Sequence, residues 1–354
     1  MIKRWPILFA LLIVAVATFV AANSGLWRTG RDDLAPLTLT NGGPDVAPPG
    51  RIWIDTDAAC GATASTDPDD CLAIYWLVSR RADIAGFSTS FGNAPGPVVE
   101  ARLAALVSQL SHDGLQVSPV FRGYGEPRSG GASQPPGVIA LQAALEAGPV
   151  TILALGPLTN LAAALEDRPD LQRNVARVVA VMGHRPGHLF HPTEGRGTGA
   201  MFGHGPIFRD LNVSVNSDAV ETVLAMHLPV TLIPYDAART TLITGVDLDS
   251  LARRSPAGAW VAQSARDWLA FWNNDVGLSG FYPFDWVAAA YLTDPELFNC
   301  ATVTARTTRE WTFWVVPHSS LVVETTAPTG NASGSSVLYC PETSASLHEV
   351  LLAR

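Results

Sequence analysis

Lysine is all but missing: Lys3 is the only one in 354 residues, and the other basic residues are arginine. A phosphate-binding loop needs a lysine on the phosphates and a pyridoxal enzyme needs one for its Schiff base, so the chain beyond its N-terminus carries neither chemistry. No basic run follows the extreme N-terminus, and the formal charge is -9 with a pI near 5.3. A surface of that sign repels a phosphate backbone, which excludes nucleic acid as a partner. Cysteine is scarce: the four, Cys60, Cys71, Cys300 and Cys340, form no CxxC pair or His-Cys spacing of a zinc site. No internal repeat or low-complexity block is present. Apolar residues make up 47% of the chain, enough to exclude a disordered protein and to fill a substantial core.

The longest apolar run opens the chain. Lys3 and Arg4 precede an uncharged stretch from Trp5 to Ala22, so residues 1–22 read as a signal peptide or a membrane anchor. Val20-Ala21-Ala22 offers small residues for cleavage, whereas the length of the run, near the lower limit for spanning a bilayer, also suits an anchor. Either reading puts the remainder outside the cytoplasm: periplasmic, secreted, or anchored and facing outward. In that oxidising setting four cysteines pair, and of three arrangements the short separations favour Cys60 with Cys71 and Cys300 with Cys340. Residues 23–50, rich in Gly, Pro, Asn and Asp, are expected to be a flexible linker ahead of one domain at 51–354.

From Arg51 onward, strand-like apolar runs alternate with helical stretches. Strands are expected at Arg51 to Asp57, Ile84 to Ser90, Pro119 to Arg122, Val150 to Leu155 and Val175 to Met182. Helices are expected at Asp70 to Arg81, Val98 to Leu110, Val138 to Ala147 and Leu158 to Glu166. The alternation implies an α/β fold: an open, mostly parallel, Rossmann-like sheet with helices on both faces. Ligands of such sheets bind beyond the carboxyl ends of the strands. Those ends carry Asp55 and Asp57, Phe91-Gly92-Asn93, Gly156 to Asn160, and Gly183-His184, the last followed by a Gly/His/Pro-rich stretch up to Pro206. Trp53, Trp76, Trp268 and Trp272 read as core.

The strongest local signal is IDTDAACGATASTDPDDCLAI, which sets Asp55, Asp57, Asp67, Asp69 and Asp70 around one strand-to-helix turn. Five carboxylates so close repel one another. A solvated acidic loop with a helix N-cap is the bland reading; a hard cation with oxygen ligands is the functional one. The segment resembles the DTDPGxDDxxAI signature of the inosine-uridine-preferring nucleoside hydrolases. Further matches follow in family order: Phe91-Gly92-Asn93, the ALGPLTN run from Ala154 to Asn160, Val181-Met182-Gly183, the stretch from Gly203 to Asn212, and Asp285 ahead of an apolar helix at Trp286 to Leu292. Together they span about residues 51 to 295.

The resemblance implies Ca²⁺ held by Asp57, Asp70, Asp285 and the Thr159 carbonyl, with ribose hydroxyls read by Asp69, Asn93, Asp210 and Asn212. It implies a small-molecule riboside as substrate, Asp57 as the base that activates water, and N-glycosidic cleavage as the reaction; a homo-oligomer is compatible with it. Fixed carboxylates beneath the sugar suit the oxocarbenium-like state of that cleavage. Three departures stand out. Eight extra residues lie between Asp57 and Asp69, which makes Asp67 an additional candidate ligand. Phe284 replaces the family's histidine before the last aspartate, and His204 and Asp210 replace its asparagine and glutamate near the sugar. With Phe284 unable to give a proton, His204, six residues before Asp210, is the expected leaving-group acid, with His184, His188 and His191 as other donors. Two alternatives stand beside this reading: an exported ribosyl-binding protein without turnover, and a phosphatase of the haloacid dehalogenase type, whose signature also begins Asp-Thr-Asp but fails at Ala59.

Overall fold

The structure, a computed structural model, describes residue 14 and residues 36–42, 50–128, 133–186, 210–312, 316–325 and 334–353. The apolar N-terminal run apart from Val14, and His188, His191 and His204, lie outside the described residues.

Runs of apolar residues without alternation become the middle strands of one ten-stranded sheet. β1 (Thr40–Asn41), β2 (Ile52–Thr56), β3 (Ile84–Thr89), β4 (Val120–Phe121), β5 (Val150–Ala154), β6 (Val175–Ala180) and β7 (Val230–Leu232) are followed by β8 (Phe298–Thr312), β9 (Val316–Glu324) and β10 (Ser335–Thr343). Their spatial order is β1-β8-β10-β7-β6-β5-β2-β3-β4, with β9 paired to β8. Neighbours from β10 to β4 run parallel, whereas β1, β9 and β10 each lie antiparallel to β8.

Every residue of β2 and β5 is buried, because both faces of the sheet are covered. Ile52 and Ile54 of β2 join one apolar layer and Trp53 the other, as the two-residue period of a strand requires. The helices that cover the sheet include α1 (Asp69–Ser79), α2 (Gly96–His112), α3 (Pro136–Glu146) and α4 (Thr159–Asp167), each within a few residues of its expected position. Trp53, Trp76, Trp268 and Trp272 are core side chains, as expected.

Two differences from the sequence reading concern the flanks. Part of the segment expected to be a linker is sheet: Thr40 and Asn41 pair with Cys300 and Asn299, and the Gly42 N–H donates to the Phe298 carbonyl. A short extended piece lacks periodicity of its own and gains order from the edge it joins. The antiparallel β8 to β10 group was likewise not read from the sequence.

Both disulfides form as expected, Cys60 with Cys71 and Cys300 with Cys340. The first closes the turn between β2 and α1. Arg102 of α2 holds that turn from outside, its Nε donating to the Cys60 carbonyl at 2.6 Å. Replacing Cys60 and Cys71 by serine is expected to cost about 3 kcal/mol, chiefly by freeing the denatured chain. Urea denaturation checks it, and an unchanged midpoint would contradict it.

Candidate active site

β2 pairs with β3 on one side and with β5 on the other, so the chain reverses its winding direction between β2 and β5. A crevice opens at the carboxyl ends of two such strands. Asp57 follows β2 at that point. Gly156, just after β5, packs on it: a Cβ there would stand 3.1 Å from Asp57 Cγ. Gly92, after β3, closes from the other side with φ +149°, and a Cβ on it would overlap Asp57 Oδ2. The two glycines are what allows a carboxylate to fit between the strand ends. The Asn93 N–H donates to the same Oδ2 at 2.7 Å.

The turn then brings the other acids back. Asp69 and Asp70 begin α1, and Asp285 sits in the first turn of the Phe284–Thr293 helix. Asp69 Oδ2 accepts the Asp285 N–H at 2.9 Å, which joins the two helix starts. Asp69, Asp70 and Asp285 are all buried, and each offers a carboxylate oxygen within 4.8 Å of the others'. Thr56 Oγ1 donates to Asp70 Oδ1.

Burial and mutual repulsion raise the whole group. Burial pushes Asp57 well above the usual carboxylate range, and Asp70 adds to the effect. Asp285 is likewise raised by burial and then by Asp69 and Asp70. Asp70 is pushed up to about 7 by burial and by Asp69. Asp55, one strand position back, is held at about 6 by burial, against hydrogen bonds from Ser88 Oγ and Asn160 Nδ2. Buried acids that must share so small a space suit a divalent ion with oxygen ligands, which would offset their charge.

These shifts fix the sign of a stability profile. A folded-state pKa above the unfolded value near 3.9 means that the folded protein binds more protons, so stability present below pH 4 is lost as pH rises through 6 and 7. Metal-free protein is therefore expected to melt at progressively lower temperature between pH 4.5 and 7.5, by the equivalent of roughly 5 kcal/mol. Calorimetry under chelator checks it; a rising melting temperature across that window would contradict it.

The remaining expected site residues fall in varied places. Asn93 is at the crevice, but its side chain clasps the backbone of Asp67: Nδ2 donates to the Asp67 carbonyl at 2.8 Å and Oδ1 accepts the Asp67 N–H at 3.1 Å. Asp67 Oδ1 accepts the Asp69 N–H, so the insertion folds against the acids it precedes. Asp210 is buried as N-cap of α5 (Leu211–Val215), with its two oxygens accepting from Gly183 N and Val213 N. Burial raises it to about 6. Asn212 donates through Nδ2 to the carbonyls of Leu155 and Val181, bridging the ends of β5 and β6. Thr159, buried, is the first residue of α4, just beyond the carboxyl end of β5, and its Oγ1 accepts from Asn216 Nδ2 at 2.8 Å. Ser88 and Asn160, which fix Asp55, were not singled out from the sequence; only the position of Asn160 beside a strand end could have flagged it.

Residues 52–334 match the inosine-uridine preferring nucleoside hydrolases, and the chain belongs to this family of enzymes that hydrolyse the N-glycosidic bond of nucleosides. The pyrimidine-specific ribonucleoside hydrolase RihA of Citrobacter koseri is 26% identical over 258 residues, 65% of this chain and 78% of that protein. Its namesake in Shewanella woodyi is 26% identical over 207 residues, 57% of this chain and 60% of that protein. Among solved structures, a plant nucleoside hydrolase superposes with a TM-score of 0.68 at 19% identity, over 86% of this chain and 98% of that one. A purine-preferring ribonucleoside hydrolase from Gardnerella vaginalis gives 0.64 at 18%, over 85% and 96%. These structural likenesses carry the fold, an α/β sheet as expected; the family match sets the phosphatase alternative aside.

Proposed function

We propose that the protein is an exported, calcium-dependent ribonucleoside hydrolase that releases ribose and a free base. The observation that carries this reading is the convergence of Asp57, Asp69, Asp70 and Asp285, from three separate elements, on one strand-end crevice. Asp57, Asp70 and Asp285, with the Thr159 carbonyl, would hold the ion, and Asp69 stands beside Asp70 and Asp285; the donors are all oxygen, which suits a hard cation and not zinc or copper. When bound, Ca²⁺ supplies positive charge and open positions for a water and two vicinal hydroxyls. Asp57 takes the proton of the attacking water. Its raised affinity for a proton in the buried cluster suits that task, and the Asn93 N–H fixes the oxygen that is not attacking.

Asp69, Asp210 and Asn212 face the sugar in this reading, each already held by backbone partners and so fixed in direction before substrate arrives. Asn93 acts on Asp57 and on the turn through Asp67. His204 is the candidate acid for the departing base that comes from the sequence alone. Fixed carboxylates beside C1′ stabilise the oxocarbenium-like charge as the bond to nitrogen breaks. A screen of purine and pyrimidine ribosides for free reducing sugar, with and without chelator, tests the proposal. Stoichiometric retention of a nucleoside with no ribose released would show a binding protein instead.

A further inference from the structure

Asp57 and Asp70 flank a turn that core packing cannot hold. Residues 61–66, Gly-Ala-Thr-Ala-Ser-Thr, include no large apolar side chain, and Thr63, Ala64 and Ser65 are exposed. Their hydrogen bonds are local. The Ala62 N–H donates to the Ala59 carbonyl at 2.9 Å, Thr66 Oγ1 to the Thr63 carbonyl at 2.9 Å, and the Thr63 N–H to Thr66 Oγ1 at 3.1 Å. Left to itself, a segment of this composition samples many conformations.

Ties to the rest of the chain fasten it. Cys60, three residues after Asp57, is bonded to Cys71, the residue after Asp70, with Cα atoms 6.2 Å apart. Arg102, which holds the Cys60 carbonyl through Nε, also lies over the Trp260 ring at 5.0 Å and reaches Ser264 Oγ through Nη2 at 3.4 Å. Asn93 clasps Asp67 near the other end. The disulfide is the covalent tie, and it crosses from the Asp57 end of the turn to the Asp70 end. Both its cysteines are fully buried, so a reductant reaches the sulfurs only when the turn opens. The other bridge, between Cys300 of β8 and Cys340 of β10, is separated from β2 by β7, β6 and β5.

We infer that the Cys60–Cys71 bridge is a redox switch on the cation site, closed by oxidation and opened by reduction. The inference rests on the reading of Asp57 and Asp70 as ligands of one divalent ion. In closing, two thiols give up two protons and two electrons to a disulfide oxidant, which becomes a dithiol; a dithiol reductant reverses the exchange. Closed, the bridge removes the freedom of the turn, so the ion meets carboxylates already brought together. Open, the ion must gather them against their mutual repulsion and binds more weakly. The coupling is reciprocal: by the factor that oxidation tightens the ion, the ion disfavours reduction of the bridge. A chain kept reduced therefore holds the ion poorly, and its activity rises once a disulfide oxidant has acted on it.

The double substitution Cys60→Ser and Cys71→Ser is expected to raise the Kd for Ca²⁺, read by isothermal titration calorimetry, about 10-fold or more. Cys300→Ser with Cys340→Ser should change it less than about 3-fold. Wild-type protein supplies a second measurement should the first variant fold poorly by circular dichroism. In glutathione buffers of graded redox ratio, with thiols alkylated and mapped by mass, saturating Ca²⁺ should move half-reduction of Cys60–Cys71 toward more reducing buffer by the same factor, relative to chelator. Half-reduction of Cys300–Cys340 should stay in place. An unchanged Kd on loss of Cys60 and Cys71, equal protection of both bridges, or a half-reduction that ignores Ca²⁺ would overturn the inference. Wild-type protein that takes up no Ca²⁺ would overturn the cation reading itself, and this inference with it.

Discussion

Asp57→Asn is expected to lower kcat for ribose release by about 10²- to 10⁴-fold, the usual range for a lost general base, with KM changed far less. Asparagine keeps the size of the side chain and can still accept the Asn93 N–H, so the strand ends need not move. Only the capacity to take a proton from water is removed. Gly92→Ala should produce a comparable loss by a different route, since its Cβ would displace Asp57 Oδ2 and its φ of +149° suits no other residue. Steady-state kinetics on both variants, with circular dichroism to show an intact fold, decides the matter. Near wild-type kcat in Asp57→Asn would remove Asp57 from the chemistry.

Chelation is expected to bring ribose release to background and added Ca²⁺ to restore it, and Asp70→Asn to weaken Ca²⁺ binding roughly 10²-fold or more through loss of a charged ligand. The same substitution carries a second signature of opposite sign. In metal-free protein Asp70 is forced to about 7 by burial and by Asp69, so near neutral pH it contributes repulsion. Removing its charge should raise the melting temperature of the metal-free protein above that of metal-free wild type, while the Ca²⁺-dependent gain shrinks. Calorimetry with and without Ca²⁺ measures both. Full activity after exhaustive metal removal would end the calcium proposal, and a destabilised metal-free Asp70→Asn would show that its bond to Thr56 outweighs the repulsion.

Local features were legible in the sequence. The strands buried on both faces announced themselves as unbroken apolar runs, and α1 to α4 fell between them at the expected places. Five aspartates within one turn marked the site, and the shorter disulfide joins cysteines only 11 positions apart. All of these are written within a few consecutive turns of chain, where residue type and spacing are enough.

What depended on distant partners was not. Asp285 meets Asp69 across 216 positions because the winding of the sheet brings their helix starts together, and nothing in either local segment names the other. Asn93 reads equally as a loop residue or a sugar ligand until Asp67 is seen in its grasp. The sequence by itself determined the layered α/β architecture, the acid turn and the exclusion of lysine-dependent chemistry, since these follow from composition and short-range period. Tertiary structure alone decided which four carboxylates share one crevice, because burial and the sheet's change of winding direction act between residues that are far apart in the chain.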